Sequence, residues 1–267
     1  MKPYVSIIIP TKNEAGNIEK CIQSCRSQNY QKIEIIVIDN FSKDKTYQIA
    51  KKLADKTLKK GTERSSQRNF GAKKAKGSYL LFLDADMQLT KKAFSEGLSK
   101  IKKGNSIVAF PELSKGENFW GKAIALERNL YQEEKDLAAA RFFPKELFLK
   151  LKGFDEKLVA GEDWDLTIRA KRFGHKLLFT KNKIIHKEKS LHLKEIIKKK
   201  EYYSQQITLY AKKHSSQFRK QSNLLYRLGI YLKNLPKILR DPVHGIAFLT
   251  LKSLIWYNWR KNSKLIK

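Results

Sequence analysis

Three apolar runs constrain this chain most, because each ends abruptly on polar residues and helix-length segments separate them. Val5-Ser6-Ile7-Ile8-Ile9 stops at Pro10-Thr11, Ile33 to Ile38 stops at Asp39, and Tyr79-Leu80-Leu81-Phe82-Leu83 stops at Asp84. Runs this short and this apolar fit strands buried on both faces, the condition of a parallel sheet. Between them, Asn17 to Gln28 repeats Ile18, Cys21, Ile22 and Cys25 at helical spacing. Ser42 to Leu58 and Ser65 to Lys76 read as further helices, the second closed by Gly77, and Ser106 to Phe110 as a fourth strand. The β-α-β-α-β alternation predicts an α/β fold with a mostly parallel central sheet and helices on its faces. Ligands of such sheets sit outside the carboxyl ends of the strands. Thr11, Asp39 and Asp84 therefore bring polar groups from three segments to one edge.

A length of 267 residues suits one large domain, or one domain with an appendage. Hydrophobic residues at 41% exclude wholesale disorder. Cys21 and Cys25 are the only cysteines, which excludes a disulfide scaffold and suits a reducing compartment. Four apart, they read as small core residues on one helix face. The charge is the outlier: Lys+Arg is 56 against Asp+Glu 26, a net +30. From Lys187 onward there are 19 Lys/Arg against 4 Asp/Glu. Such a field attracts nucleic acid, an anionic membrane surface or nucleotides. Met1-Lys2-Pro3-Tyr4 leads into an apolar stretch too short for a secretory signal. No run reaches the ~20 apolar residues that span a bilayer; the nearest, Ile246 to Trp259, is interrupted by Lys252 and Asn258. The expected location is cytoplasmic, free or peripheral on the inner face of the membrane.

Two acidic clusters carry candidate chemistry. Asp84-Ala85-Asp86 closes an apolar strand, where two carboxylates can share one locus once the chain turns. Hard divalent cations favour such oxygens, completed by phosphate. The plain alternative is an ordinary turn. Gly161-Glu162-Asp163-Trp164-Asp165 sets three carboxylates around one aromatic before the helical stretch Leu166 to Ala170. These acids could simply cap a helix, a reading that weighs most on Asp165. A carboxylate beside Trp164 could instead be desolvated and suited to general-base work. His186, after Ile184-Ile185, is a structural histidine or a ligand of metal or diphosphate.

Taken in order, these segments resemble the family 2 glycosyltransferases, which have the GT-A (Rossmann-like) nucleotide-diphospho-sugar transferase fold. The resemblance is carried by Ser6 to Glu14, Ile35 to Thr46, Arg68-Asn69-Phe70-Gly71-Ala72 with Ala75-Lys76-Gly77, Phe82 to Asp86, Gly153-Phe154-Asp155-Glu156, Gly161-Glu162-Asp163 and His186. It covers roughly residues 4–190, and implies a catalytic domain over 1–190 with a basic helical extension over 191–267. It also implies roles. Asp39 would accept a hydrogen bond from the base, usually uracil. Pro10, Thr11, Asn13 and Glu14 would line the nucleoside pocket, with Arg68 near it or the sugar. Asp84, with Ala85, would meet ribose or sugar. Asp86 would bind Mg²⁺ or Mn²⁺ on the diphosphate, with His186 completing that shell or touching phosphate. Asp163 would be the general base, with Glu162 beside it. The implied reaction is metal-dependent, inverting transfer from a nucleotide-sugar, UDP-sugar favoured, to a hydroxyl of a glycan or lipid-linked acceptor in cell-envelope synthesis. Acceptor contacts are expected at Trp164 and, within Ser114 to Lys135, at Trp120. Asn40 stands where the family often has a second acid, and Phe41 where a small residue is usual.

Two other functions suit parts of the sequence. A nucleic-acid-binding protein suits the charge, but no recognition-helix, zinc-finger or RNP pattern is present, and the strand-end acids would repel a phosphate backbone. A nucleotidyltransferase of this architecture usually carries a Gly-rich, Lys-containing loop, absent between Thr11 and Ile18. In the extension, helices are expected over Leu193–Lys213, Ser222–Leu239 and Val243–Trp259, with Lys198-Lys199-Lys200, Lys212-Lys213 and Arg219-Lys220 clustered on them. Ile246, Phe248, Leu249, Leu251, Leu254, Ile255, Trp256 and Trp259, with Lys252, Arg260 and Lys261, fit an interfacial helix on an anionic membrane and a core-packed terminal helix equally well.

Overall fold

The computed structural model describes residues 4–102, 104–132 and 134–264. The side chains of Trp256, Trp259, Arg260 and Lys261, named above for the interfacial helix, lie outside the described residues. In chain order the elements are β1 (Val5–Thr11), α1 (Ile18–Arg26), β2 (Ile33–Asp39), α2 (Thr46–Leu53), β3 (Lys56–Lys59), α3 (Arg64–Lys74), β4 (Tyr79–Phe82), β5 (Met87–Leu89), α4 (Ala93–Ile101), β6 (Ser106–Ala109), β7 (Glu112–Lys115), α5 (Phe119–Leu130), β8 (Phe142–Pro144), α6 (Lys145–Lys150), α7 (Glu162–Arg172), β9 (Lys176–Phe179) and β10 (Ile184–Lys187). Helices α8 (Leu193–Gln206), α9 (Thr208–Lys213), α10 (Ser215–Ser222), α11 (Leu224–Lys233), α12 (Leu235–Leu239) and α13 (Pro242–Lys264) follow. The chain forms two compact units, one running to Pro111 and resuming over Ala138–His186, the other comprising Glu112–Leu137 and the chain from Lys187.

The first unit is built on a seven-stranded sheet ordered β3-β2-β1-β4-β8-β6-β9. β1 runs parallel to β2 and β4, β2 to β3 and β6 to β9, while β8 is antiparallel to β4 and β6. Side chains alternate between faces with the period of two that strands impose. Ile7, Ile9, Ile35, Val37 and Leu81 pack with Cys21, Ile22 and Cys25 of α1 and Phe94 of α4. Ile8, Ile36, Ile38, Leu80 and Phe82 pack on the other face with Ala72 of α3 and Leu166 of α7. Both cysteines are free and buried, as their spacing implies. Each fully buried branched side chain contributes about 1.5–3 kcal/mol, so the isoleucine-rich centre anchors the strand ends that matter below.

The structure departs from the expected elements in three places. The helix expected over Ser42–Leu58 ends at Leu53, and Lys56–Lys59 forms β3, paired in register with Ile36–Asp39. An edge strand takes its order from the neighbouring backbone, so its Lys-Thr-Leu-Lys sequence needs no apolar pattern. Ser114–Lys135 is more than a polar insertion: it holds α5, whose Ala123, Ile124, Ala125 and Leu130 are buried. That segment groups with the C-terminal helices, whereas the sequence places the boundary between 190 and 191. Leu193–Lys213 and Ser222–Leu239 are each two helices, the second pair meeting at Asn234 with Pro236 in the first turn of α12.

In the second unit, Ala123 and Leu130 of α5 pack with Ile230 of α11 and Ala247 and Phe248 of α13. Ile124 packs with Ile196 of α8 and Leu251 of α13. Buried Glu127 on α5 is paired by Lys252 at 2.6 Å. Burial pushes its carboxyl up, but Lys252 and Lys200 outweigh that and hold it below the usual range.

Candidate functional site

The carboxyl ends of β1 and β2 lie side by side, with Thr11 opposite Asp39 in the parallel register. Gln67 of α3 straps them together, its Nε2 donating to the carbonyls of Thr11 (3.1 Å) and Ile38 (2.6 Å). Asp39 is fully buried and accepts from the Ser42 backbone N–H (2.9 Å) and Ser42 Oγ (2.5 Å). This fixes the carboxylate at the sheet edge. Thr11 Oγ1 is buried beside it and has no hydrogen-bond partner among the described residues. A buried hydroxyl left unpaired is the kind of group a ligand satisfies.

The loop after β1 is held by the loop after β2. The Asn13 N–H donates to Ser42 Oγ, the Glu14 N–H to Thr46 Oγ1 at 2.7 Å and the Ala15 N–H to Asp44 at 3.1 Å, while Asn13 Oδ1 accepts from the Lys43 N–H at 2.8 Å. Asp44 is pushed up by burial, yet the Thr46 and Ala15 donors hold it below the usual carboxylate range. Asn13 (φ +54°) and Phe41 (φ +48°) both adopt left-handed backbone. Phe41, where the family favours a small residue, thus occupies a glycine-like conformation, with its ring 61% exposed. Asn40 Nδ2 donates to the Thr62 carbonyl at 2.8 Å. Pro10 is buried in β1, and the Ala85 methyl lies in the core, leaving its backbone as the part that can face a ligand.

Asp84 follows β4 and meets two guanidinium groups, Arg68 at 2.5 Å and Arg141 at 3.3 Å. Arg68, its side chain 5% exposed, also pairs with Glu162 at 3.2 Å, and Arg64 approaches Glu162 at 3.9 Å. Burial opposes ionisation of Asp84, but Arg68, Arg141 and Arg64 overcome it and hold its carboxyl far below the carboxylate range. Glu162 goes the other way: burial and the neighbouring Asp163 push it up against the pull of Arg68 and Arg64. Like charges next to each other in a desolvated place separate acid strengths in this manner. Arg68 also stacks its cation over the Phe154 ring at 5.2 Å. Next to it, Asn69 Nδ2 donates to the Phe154 carbonyl and Glu156, and Asn69 Oδ1 accepts from the Phe154 N–H. Gly153 (φ +68°) makes that clasp feasible, because a Cβ there would collide with Asn69 Oδ1. The Arg68-Asn69 and Gly153 to Glu156 motifs are therefore two halves of one buckle.

Helix α7 starts at Glu162, with Gly161 as its left-handed N-cap (φ +79°). Asp163 accepts from the Trp164 N–H at 2.8 Å, and its acidic group stands in the first turn, where the helix dipole favours the anion. Asp165 serves a different purpose. It is fully buried and paired with Arg169 through Nε (2.8 Å) and Nη2 (2.7 Å). Arg169 in turn donates to the Leu151 and Gly153 carbonyls, tying the buckle to α7. Asp165 is thus neither cap nor base. Trp164 is half-buried in this first turn. Trp120 lies on α5 in the second unit, 5.1 Å from the Phe119 ring.

His186 on β10 stands opposite Met87 in the antiparallel pairing of β10 with β5, and this brings its Nε2 within 3.5 Å of Asp86 Oδ2. One carboxylate oxygen and one imidazole nitrogen at this separation can share a cation. Among the described residues no group of three or more His, Cys, Asp or Glu could hold a metal. The Asp86 carboxylate is the kind of hard oxygen donor that Mg²⁺ and Mn²⁺ take, completing their shells with phosphate oxygens and water, and His186 stands within reach of such an ion or its phosphate.

Gln67, Arg141 and Arg64 join the site without having been singled out by the sequence motifs, and Ser42, inside the Ile35 to Thr46 motif, carries no expected role there. For Gln67 a signal exists: α3 lies between buried strands yet buries Ser65, Ser66, Gln67, Arg68 and Asn69. A buried helix face so poor in apolar groups must be spent on polar contacts. Arg141 gives no such signal, since only the placement of β8 beside β4 brings it to Asp84.

The model of the family described as glycosyl transferase family 2 matches residues 6–150, more than half the chain. Glycosyltransferase AglE of Haloferax volcanii is 28% identical over 195 residues, 66% of this chain and 64% of AglE. The GalNAc(5)-diNAcBac-PP-undecaprenol beta-1,3-glucosyltransferase of Campylobacter jejuni is 29% identical over 182 residues, 60% of this chain and 57% of that enzyme. The chain thus spans less than two-thirds of the length of these relatives. Among solved structures, the mannosyltransferase PcManGT from Pyrobaculum calidifontis, in complex with GDP-Man and Mn²⁺, gives a TM-score of 0.63 at 17% identity, covering 98% of this chain and 87% of PcManGT. TarS 1-349 of S. aureus with UDP-GlcNAc gives 0.56 at 20% identity, covering 76% of this chain and 66% of that one. At these identities the likeness shows a shared fold.

Proposed function

The chain belongs to glycosyl transferase family 2, and from that premise we propose that it moves one sugar from a UDP-sugar to a hydroxyl of a lipid-linked or glycan acceptor in cell-envelope glycoconjugate synthesis, with inversion. The observation that carries this reading is the ion-pair network Asp84–Arg68–Glu162, centred on the buried Arg68. It joins the acid at the end of β4 to the helix start that presents Asp163. Both clusters singled out by the sequence thereby belong to one site. The nucleotide-sugars bound by PcManGT and TarS, and the undecaprenol-linked acceptor in the name of the Campylobacter relative, support the substrate classes.

The roles follow from position. Asp39 accepts from the base, and Thr11 Oγ1 finds in the nucleoside the partner that the described residues do not give it. A hydrogen bond to a charged acceptor of this kind contributes about 1.5–3 kcal/mol. Asp84, fixed as an anion by two arginines, orients sugar or ribose hydroxyls. Asp86 and His186 would hold Mn²⁺ or Mg²⁺, which as a Lewis acid offsets the charge that builds on the departing diphosphate. Asp163 takes the proton of the acceptor hydroxyl, which is a poor nucleophile until deprotonated. A base that activates the acceptor for attack opposite the departing diphosphate implies direct displacement at the anomeric carbon, which requires no carboxylate nucleophile. Trp164, one residue on, would meet the acceptor.

Calorimetric titration of UDP, GDP, CDP and dTDP in the presence of Mn²⁺, on the wild type and Asp86→Ala, tests the reading. Metal-dependent binding of UDP that the variant weakens is expected. Selective binding of GDP would overturn the UDP assignment, and a folded protein that binds none of the four would overturn the transferase reading.

A further inference from the structure

The second unit leaves an apolar surface in water that its own core does not use. On α11 and α13 one face is packed: Ile230, Phe248 and Leu251 are all buried. The opposite face of α11 carries Leu224, Leu225, Leu228 and Leu232, which at 3.6 residues per turn fall within about 100° of arc. Leu225 is 77% and Leu232 71% exposed. On α13, Val243 and Ile246 likewise point away from the buried face, Ile246 at 68% exposure. Between them, α12 buries no residue and exposes Leu235 and Leu239. Soluble proteins rarely leave so many large aliphatic side chains exposed on consecutive elements unless something covers them. The core-packed reading of the last segment holds for the face that carries Phe248 and Leu251, while α11 and α12 also expose large aliphatic side chains.

The charge around this surface selects its cover. Residues 224–264 hold eight Lys/Arg and one acid, Asp241. Lys237 and Arg240 are exposed within the same stretch as the leucines. A second copy of this chain would bring an equal excess of positive charge against it, which opposes self-association. A sheet of anionic headgroups over acyl chains answers both properties at once, with leucines entering the boundary and cations meeting phosphate. No helix among the described residues is long and apolar enough to cross a membrane, so the contact is one of lying on the surface.

We infer that helices α11 to α13 form a monotopic docking face for an anionic phospholipid bilayer, through Leu224, Leu225, Leu232, Leu239, Val243 and Ile246 with Lys237 and Arg240. This stands on the surface of the second unit and does not depend on the transferase reading.

The test is co-flotation of the full chain with vesicles of phosphatidylcholine alone or mixed with phosphatidylglycerol. Expected is binding to the mixed vesicles only. Lys237→Gln and Arg240→Gln should each weaken it about fivefold, and the double variant Leu225→Ser/Leu232→Ser roughly tenfold or more. Circular dichroism and nucleotide titration of each variant should stay at wild-type values. A second readout needs no loss of leucine pairs: Leu225→Cys carrying a polarity-sensitive dye should shift to the blue when mixed vesicles are added, since Cys21 and Cys25 are buried. No flotation with phosphatidylglycerol vesicles at low salt would overturn the inference. So would leucine variants that float as well as wild type, an unshifted dye, or a dimer that the leucine variants split while vesicles are ignored.

Discussion

Replacing Arg68 with methionine removes the cation on which half-buried Asp84 and buried Glu162 depend. Asp84 keeps Arg141 at 3.3 Å, and Glu162 keeps only the partly exposed Arg64 at 3.9 Å. Breaking a buried ion pair from one side costs about 3–5 kcal/mol. With Arg141 still in place the lower end applies, about 3 kcal/mol, or roughly 6–12 °C in Tm. The pH dependence sharpens the test. Asp84 has a folded pKa below its unfolded one, so its stabilising contribution is present above the unfolded value of ~3.9 and is lost as pH falls below it. Glu162 has a raised folded pKa, so its favourable contribution is present below its unfolded value of ~4.3 and is lost as pH rises through the folded one. Without Arg68, Glu162 rises further. The gap between wild type and Arg68→Met should therefore be widest near neutral pH and narrow toward pH ~5. Glu162→Gln in the Arg68→Met background should recover part of it. Urea denaturation followed by circular dichroism across this range provides the measurement. A gap below ~1 kcal/mol at neutral pH, or one that does not change with pH, would refute the dependence of both carboxylates on Arg68.

Three further outcomes follow from the structure. Asp163→Asn should lower kcat by about 10²–10⁴ with donor binding kept; if nucleotide affinity falls in parallel, Asp163 belongs to the donor pocket and is not the base. Gly153→Ala should cost about 1–3 kcal/mol, read as a drop in Tm, because it adds a collision with Asn69 to an unfavourable φ. Gly174→Ala (φ +87°, no atom nearby) should lose only the backbone part, about 1 kcal/mol.

The parts of the fold visible in the sequence are those set by local burial. Strands β1, β2 and β4 announce themselves because both their faces are covered, so nearly every position is apolar until the edge is reached. That is also why Thr11, Asp39 and Asp84 are legible as edge residues. β3, β5, β8, β9 and β10 are three or four residues long, and their order comes from the strands they pair with. The pairing of His186 with Asp86 depends on β10 meeting β5 and could be expected only through the family resemblance. Asp163 and Asp165 look alike in sequence. What separates their roles is Arg169, four residues after Asp165, whose guanidinium is itself fixed by the carbonyls of Leu151 and Gly153. The exposed leucines of α11 are visible as a stripe, but a stripe does not say which way it faces until Ile230 and Phe248 are seen to pack on the other side.

The interleaving of the two units changes what the C-terminal helices are. They cannot be trimmed as a tail. A chain stopped at residue 190 would retain Asp39, Asp84, Asp86, Asp163 and His186, yet it would strip the cover from Ala123, Ile124 and Leu130 of α5 and leave Glu127 without Lys252. Such a truncation would expose a hydrophobic helix lodged between β6 and β8 in the sequence, and its insolubility would say nothing about catalysis. The two units divide at 111/112, 137/138 and 186/187, the last inside β10, so trimming there cuts the strand that carries His186.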